Sequence, residues 1–198
     1  MKTYTFHVSL PGTGRVWRKI EMRADQTLEA LHFAIQDAYG WDADHLYSFF
    51  MSGKAWDSST EYCLPEGYTP WGEPIEDDED EQDWPEPTPE QREQYLRELF
   101  GDKMSPEEME ARMKAFWEYV KAQESERGPG NVQTTTLGEL ELKPRQEFMY
   151  LFDYGDEWRF KVRVHAINLD APEGEYPRAV ESVGEAPVQY PSWDGEEW

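Results

Sequence analysis

The sequence predicts an α+β fold. Its expected core is a β-grasp-like mixed sheet, ordered ββαβ and closed by a C-terminal β-hairpin, with one packed helix and an acidic helical insertion. Three observations predict it. Apolar residues alternate with polar ones at Tyr4, Phe6, Val8 and Leu10, and again at Val162 and Val164, the period-two mark of a half-buried strand. Leu28, Leu31, Ile35 and Ala38 repeat at helical spacing and form one apolar face. Between 53 and 130 the composition turns strongly acidic. The whole of 1–198 therefore reads as a single domain, with 53–130 as an acidic, partly helical insertion within it.

Taken in order, Tyr4 to Leu10 is the first strand, Pro11-Gly12-Thr13-Gly14 a turn, and Val16 to Met22 the returning strand of a hairpin. Asp25 or Thr27 caps the helix that follows, and Gly40 stands where a C′ glycine belongs. Leu46 to Met51 is a third strand. A loop rich in Gly, Pro and aromatic residues runs from Trp56 to Pro74, and Glu76 to Asp83 holds seven acids in eight residues, a run expected to be solvated. Thr88-Pro89-Glu90-Gln91 and Ser105-Pro106-Glu107-Glu108 each start a helix with a capping box and Pro at its first position. The second helix carries the apolar stripe Met109, Met113, Phe116, Trp117 and Val120. Beyond Gly128-Pro129-Gly130, Thr134 to Leu142 reads as a short turn or helix, and Phe148 to Phe152 and Trp158 to Ile167 form the closing hairpin. The Pro-containing tail is expected to be irregular.

The hydrophobic fraction is 38% and the aromatic fraction 15%, so the core must be built largely from Trp, Tyr and Phe, which bury much area per residue. The chain has 42 acidic and 19 basic residues and a formal net charge of −23. Such a surface repels nucleic-acid phosphate and anionic membrane, so direct nucleic-acid binding is not expected and a basic protein or a metal cation is the favoured partner class. A proteome adapted to high salt has the same composition, so the charge has a second source that needs no partner. Cys63 is the single cysteine, which excludes an intrachain disulfide and favours a reducing, cytoplasmic setting. The start, MKTYTFHVSL, alternates and lacks the apolar stretch of a signal peptide, and no apolar run is long enough to span a membrane. No cofactor is predicted. A divalent metal is the one class left open, as is the oligomeric state.

Four segments carry a resemblance: Val16-Trp17-Arg18-Lys19-Ile20, then Thr27 to Gln36 (TLEALHFAIQ), then Tyr39-Gly40-Trp41-Asp42 with His45-Leu46, and Phe152 to Trp158 (FDYGDEW). In this order they resemble the plasmid pRiA4b ORF-3-like family, whose pattern runs IWRRI, TLxxLHxxIQxxFGW, HLHxF and YDFGDxW followed by a His. The likeness covers 1–52 and 134–180, and Tyr176-Pro177-Arg178 matches the family's YPR. The resemblance implies membership of a family found on plasmids and mobile elements, with no defined chemistry. Tyr47 replaces the second His of HLHxF, Arg159 or Phe160 stands where a later His is usual, and Ala186-Pro187-Val188 lacks the usual Cys. A His and Cys metal site in the family would have lost several ligands here.

The candidate functional cluster is His32, Asp44, His45, Asp153, Asp156 and Trp158. His32 lies beside the apolar helical stripe, where a core histidine is the simpler reading. Paired with Asp153 or Asp156 across the sheet it would suit proton transfer or metal binding. Asp42, Asp44 and His45 follow the helix end, where they either shape the turn or offer two carboxylates and an imidazole to a cation. Asp153 to Trp158 reads as a β-turn, with an Asx bond from Asp153 and positive φ at Gly155, or as a loop that recognises a basic group or metal. Arg18 or Arg159 is placed to neutralise its carboxylates. No motif for nucleophilic catalysis or phosphate cradling is present. Three functions fit: a non-catalytic protein-interaction module, a metal-dependent enzyme, and an acidic mimic of nucleic acid.

Overall fold

Period-two burial sets the strands. In the computed structural model, which describes residues 1–75, 112, 114–115 and 130–190, Tyr4, Phe6 and Val8 of β1 (Thr3–Ser9) turn inward, as do Arg18, Ile20 and Met22 of β2 (Trp17–Arg23). The two pair antiparallel from Thr3↔Arg23 to Ser9↔Trp17. α1 (Leu28–Tyr39) begins where Thr27 accepts the amide of Ala30 and ends at Gly40, which takes the left-handed φ of 69°. β3 (Tyr47–Phe50), β4 (Glu61–Cys63), β5 (Gly130–Asn131), β6 (Glu147–Phe152), β7 (Trp158–Asn168) and β8 (Arg178–Val183) complete an eight-stranded sheet.

Its order is β5-β4-β3-β6-β7-β1-β2-β8. Every pairing is antiparallel except β4 with β5. The fold is thus mixed α+β, with α1 packed on one sheet. Leu28, Leu31, Ile35 and Tyr39 of α1 share one core with Phe6, Phe49, Phe148, Tyr150, Phe160 and Val162, so aromatic rings supply most of its bulk. Among the described residues no helix is long and apolar enough to cross a membrane.

Three strands lie outside the ββαβ-plus-hairpin frame. β4 and β5 are too short to show a period, and β8 falls in the tail expected to be irregular. Five of its six residues are exposed, so it has no burial alternation to read. It is held by backbone pairing to β2 and by the ion pairs Lys19–Glu181 and Arg178–Glu21. Residues 134–142 form turns, with Thr136 amide and hydroxyl both donating to Glu139.

The chain divides into two compact units, 1–75 with 128–198, and 76–127. In the second, Arg112, Lys114 and Ala115 are helical. The acidic run 76–83, both capping boxes and the Met109–Val120 stripe lie outside the described residues, as does 191–198. In the first, the segment leading out and the segment leading back lie side by side, since Gln133 Nε2 donates to the Gly72 carbonyl at 2.8 Å.

Candidate functional site

The end of α1 and the β6–β7 turn meet in one corner. Gly40 turns the chain so that Trp41 donates its amide to Gln36 and folds its ring inward, 4.7 Å from Trp158 and 5.5 Å from Phe160. The β6–β7 turn is closed by Asp153, whose Oδ1 accepts the amides of Gly155 (2.8 Å) and Asp156 (3.3 Å). Its own amide donates to the Leu46 carbonyl at 3.0 Å, and its carbonyl accepts from Glu157 at 2.7 Å. The turn is therefore an Asx turn, but positive φ falls at Asp153 (56°) and Glu157 (52°), not at Gly155. Asp tolerates this region because its short polar side chain bonds locally. Gly155 serves another purpose: a Cβ there would sit 3.2 Å from Asp153 Oδ1 and crowd the Asx bond.

His45 lies between two carboxylates, with Nδ1 2.9 Å from Asp44 Oδ1 and Nε2 3.7 Å from Asp153 Oδ2. The tail covers this pair. Tyr190 donates its hydroxyl to Asp44 Oδ2. Gln189 accepts the Asp42 amide at 2.7 Å and donates to the Asp42 carbonyl at 2.8 Å and to Asp44 Oδ1 at 3.2 Å. Partial burial pushes the Asp44 carboxyl up, but hydrogen bonds from Tyr190 and His45 outweigh it and leave the group below its ordinary value. Burial and the same carboxylate raise the Tyr190 hydroxyl.

His32 is elsewhere, sealed in the core at 0% exposure. Its ring stacks on Tyr47 at 3.6 Å, and Nδ1 lies 2.6 Å from Tyr150 Oη. Gln36 Nε2 donates to the same oxygen at 2.6 Å. Tyr150 has one proton to give, so the chain runs Gln36 N–H to Tyr150, then Tyr150 O–H to His32 Nδ1, which puts the histidine proton on Nε2. Burial drives the His32 pKa down to about 3 and the Tyr150 hydroxyl well above its ordinary value. Three atoms of this cluster, His32 Nε2, Gln36 Oε1 and Tyr47 Oη, are buried without a partner, as is Trp158 Nε1 in the corner above.

A family model described as plasmid pRiA4b ORF-3-like protein matches residues 2–189. The chain belongs to the plasmid pRiA4b ORF-3-like family. A crystal structure of a protein of unknown function from Methanosarcina mazei Go1 has a similar fold, with a TM-score of 0.50 and 21% identity over 91% of this chain and 69% of that one. No curated protein matches the sequence.

In this ORF-3-like protein the motif residues divide between corner and core. Asp44, His45, Asp153, Asp156 and Trp158 gather in the corner, Asp156 through its backbone amide and Trp158 through its ring. His32 joins none of them, and meets Tyr150 rather than Asp153 or Asp156. Among the described residues no three His, Cys, Asp or Glu side chains come together in a way that could hold a metal ion. Tyr47, where the ORF-3-like pattern has a second His, is the residue stacked on His32.

Arg18 and Arg159 do not neutralise Asp153. Arg159 pairs with Glu157. Arg18 is buried and, among the described residues, donates to carbonyls: Ala38 at 2.7 Å, Trp17 at 2.9 Å, Val183 at 3.0 Å and Gly184 at 3.2 Å. A groove of about 700 Å3, lined in part by Pro11, Met149, Asp156 and Trp158, lies beside the corner. The cations that line it, Arg159 and Lys161, are paired with Glu157 and Glu147. Trp41, Gln189 and Tyr190 carry little signal of this role in the sequence. Trp41 lies in a motif that assigns it no role, and the tail has no periodicity to mark Gln189 or Tyr190.

Proposed function

We propose that the chain is a non-catalytic protein-interaction module whose acidic insertion meets a basic protein. The net charge of −23 carries the reading, since a field of one sign selects and steers partners of the other. The corner supports it from the other side. Both Asp44 oxygens and one Asp153 oxygen already hold hydrogen bonds within the chain, and His32 is shut in the core. A cytoplasmic location belongs to the same reading, on the single cysteine. Metal-dependent catalysis is carried less far because His32 stands apart from the other candidates. Nucleic-acid mimicry rests on 76–83, outside the described residues.

Deletion tests it. Because Gly72 and Gln133 touch, residues 76–127 can be replaced by a short Gly-Ser linker. We expect the shortened chain to keep its near-UV circular dichroism and to lose a basic protein that the full chain captures from host extract at low salt. Equal capture by both chains would count against the reading.

A further inference from the structure

The tail is seated on the corner as a peptide ligand would be. Where β8 ends, Arg18 holds the carbonyls of its last residue, Val183, and of Gly184, the first residue of the tail. Trp41 Nε1 then donates to the Pro187 carbonyl at 2.9 Å. The Gln189 amide answers both backbone groups of Asp42, and Tyr190 reaches the Asp44 carboxylate. Selection by side chain is clear from exposure: Gln189 is 7% exposed, whereas Val188 is 73% exposed and points away. The carboxamide of Gln189 uses its oxygen to accept the Asp42 N–H and its nitrogen to donate to the Asp42 C=O, matching one residue's backbone with two separate atoms, and the phenol that follows satisfies a carboxylate. The corner therefore reads a short extended segment of the chemistry Pro-x-Gln-Tyr.

We infer that this corner, built by Trp41, Asp42 and Asp44, is a peptide-recognition notch that the chain's own tail fills, and that a partner protein presenting an extended Pro-x-Gln-Tyr segment exchanges with the tail. Exchange is cheap on the tail's side. Residues 187–190 form no regular structure and β8 before them is almost wholly exposed, features of segments that open locally at low cost. Tethering gives the tail an effective concentration in the millimolar range, so an untethered peptide competes poorly until the tail is weakened. The inference rests on the interaction-module reading and adds a contact on the body. Its test contains no basic protein and leaves 76–127 intact, so the two can fail separately.

The probe is a fluorescein-labelled peptide of residues 184–190, GEAPVQY, added to full-length protein and followed by anisotropy. We expect Gln189→Ala to bind it at least about tenfold more tightly than wild type, because the competing tail is weakened. Binding should be lost with a peptide carrying Ala for Gln, and in the double variant Gln189→Ala, Asp44→Ala. Tyr190→Phe, which removes a single hydroxyl, is the second variant and should show the same direction. Equal binding by wild type and both folded variants overturns the inference. So does a concentration-dependent dimer that forms by trading tails, which would make a second copy the occupant.

Discussion

Protonating His32 means putting a charge where Tyr47 stacks and Tyr150 donates, with no carboxylate to answer it. Its pKa is about 3 in the fold against about 6.5 in an unfolded chain. The neutral form is the folded form, so its contribution is complete above pH ~6.5 and is lost as pH falls from there toward ~3, where the unfolded chain takes up the extra proton. The slope owed to one such proton is about 1.4 kcal/mol per pH unit. His32→Gln keeps an acceptor for Tyr150 and removes the titration. Urea midpoints taken from neutral pH down to about pH 4 should therefore fall less steeply in the variant than in wild type. Parallel curves would sink the argument. The burial of His32 was legible, because it flanks the stripe of Leu28, Leu31 and Ile35. Its partner was not. Alternation along β6 turns Tyr150 inward, but nothing in the spacing of the chain says which helix residue it will meet.

At the scale of elements, one guanidinium ties three of them together. Arg18 projects from β2, caps the Ala38 carbonyl near the C-terminus of α1, lies over the Tyr39 ring at 4.6 Å, and holds the carbonyls of Val183 at the end of β8 and Gly184 just beyond it. The negative end of the helix dipole and the ring face stabilise the buried charge in place of a carboxylate. Arg18→Met preserves the apolar stem and removes every bond. We expect it to cost about 2–4 kcal/mol, the scale of several charge-assisted hydrogen bonds lost at once. Amide exchange should speed up at 183–190 while β1 stays protected. Protection in the tail equal to wild type would show that the guanidinium does not hold it.

The sequence puts Arg18 on the inward side with Ile20 and Met22, but charge alone suggested an acidic partner. Carbonyl partners leave no mark in composition. The β6–β7 turn divides in the same way. The Asx bond of Asp153 follows from residue type, whereas the positive φ values at Asp153 and Glu157, in a turn whose Asp153 amide bonds the Leu46 carbonyl, have no counterpart in the residue pattern.

For the whole molecule, the deciding quantity is charge. A net charge of −23 makes the folded state repel itself more than the expanded one, and added salt screens that repulsion. Raising NaCl from about 10 mM to about 0.5 M shortens the screening length several-fold, and the melting temperature should rise by a few degrees. Magnesium and calcium at matched ionic strength should do no more. A flat or falling Tm would refute the self-repulsion account, and an ion-specific rise would point back to a metal site. The ββαβ order and closing hairpin were legible because β1, β2 and β7 alternate between a buried and an open face and β3 is a short, mostly aromatic run, buried throughout. β4, β5 and β8 were not, since none buries a face of its own.

Those same three strands determine how the sheet ends. One margin is the two-residue β5, and the other is β8, whose Arg178 and Glu181 are each locked to a charge on β2. A newcomer strand needs a long, flat, apolar border to zip onto. Among the described residues neither border qualifies, so the sheet offers no template there for edge-to-edge growth into fibres.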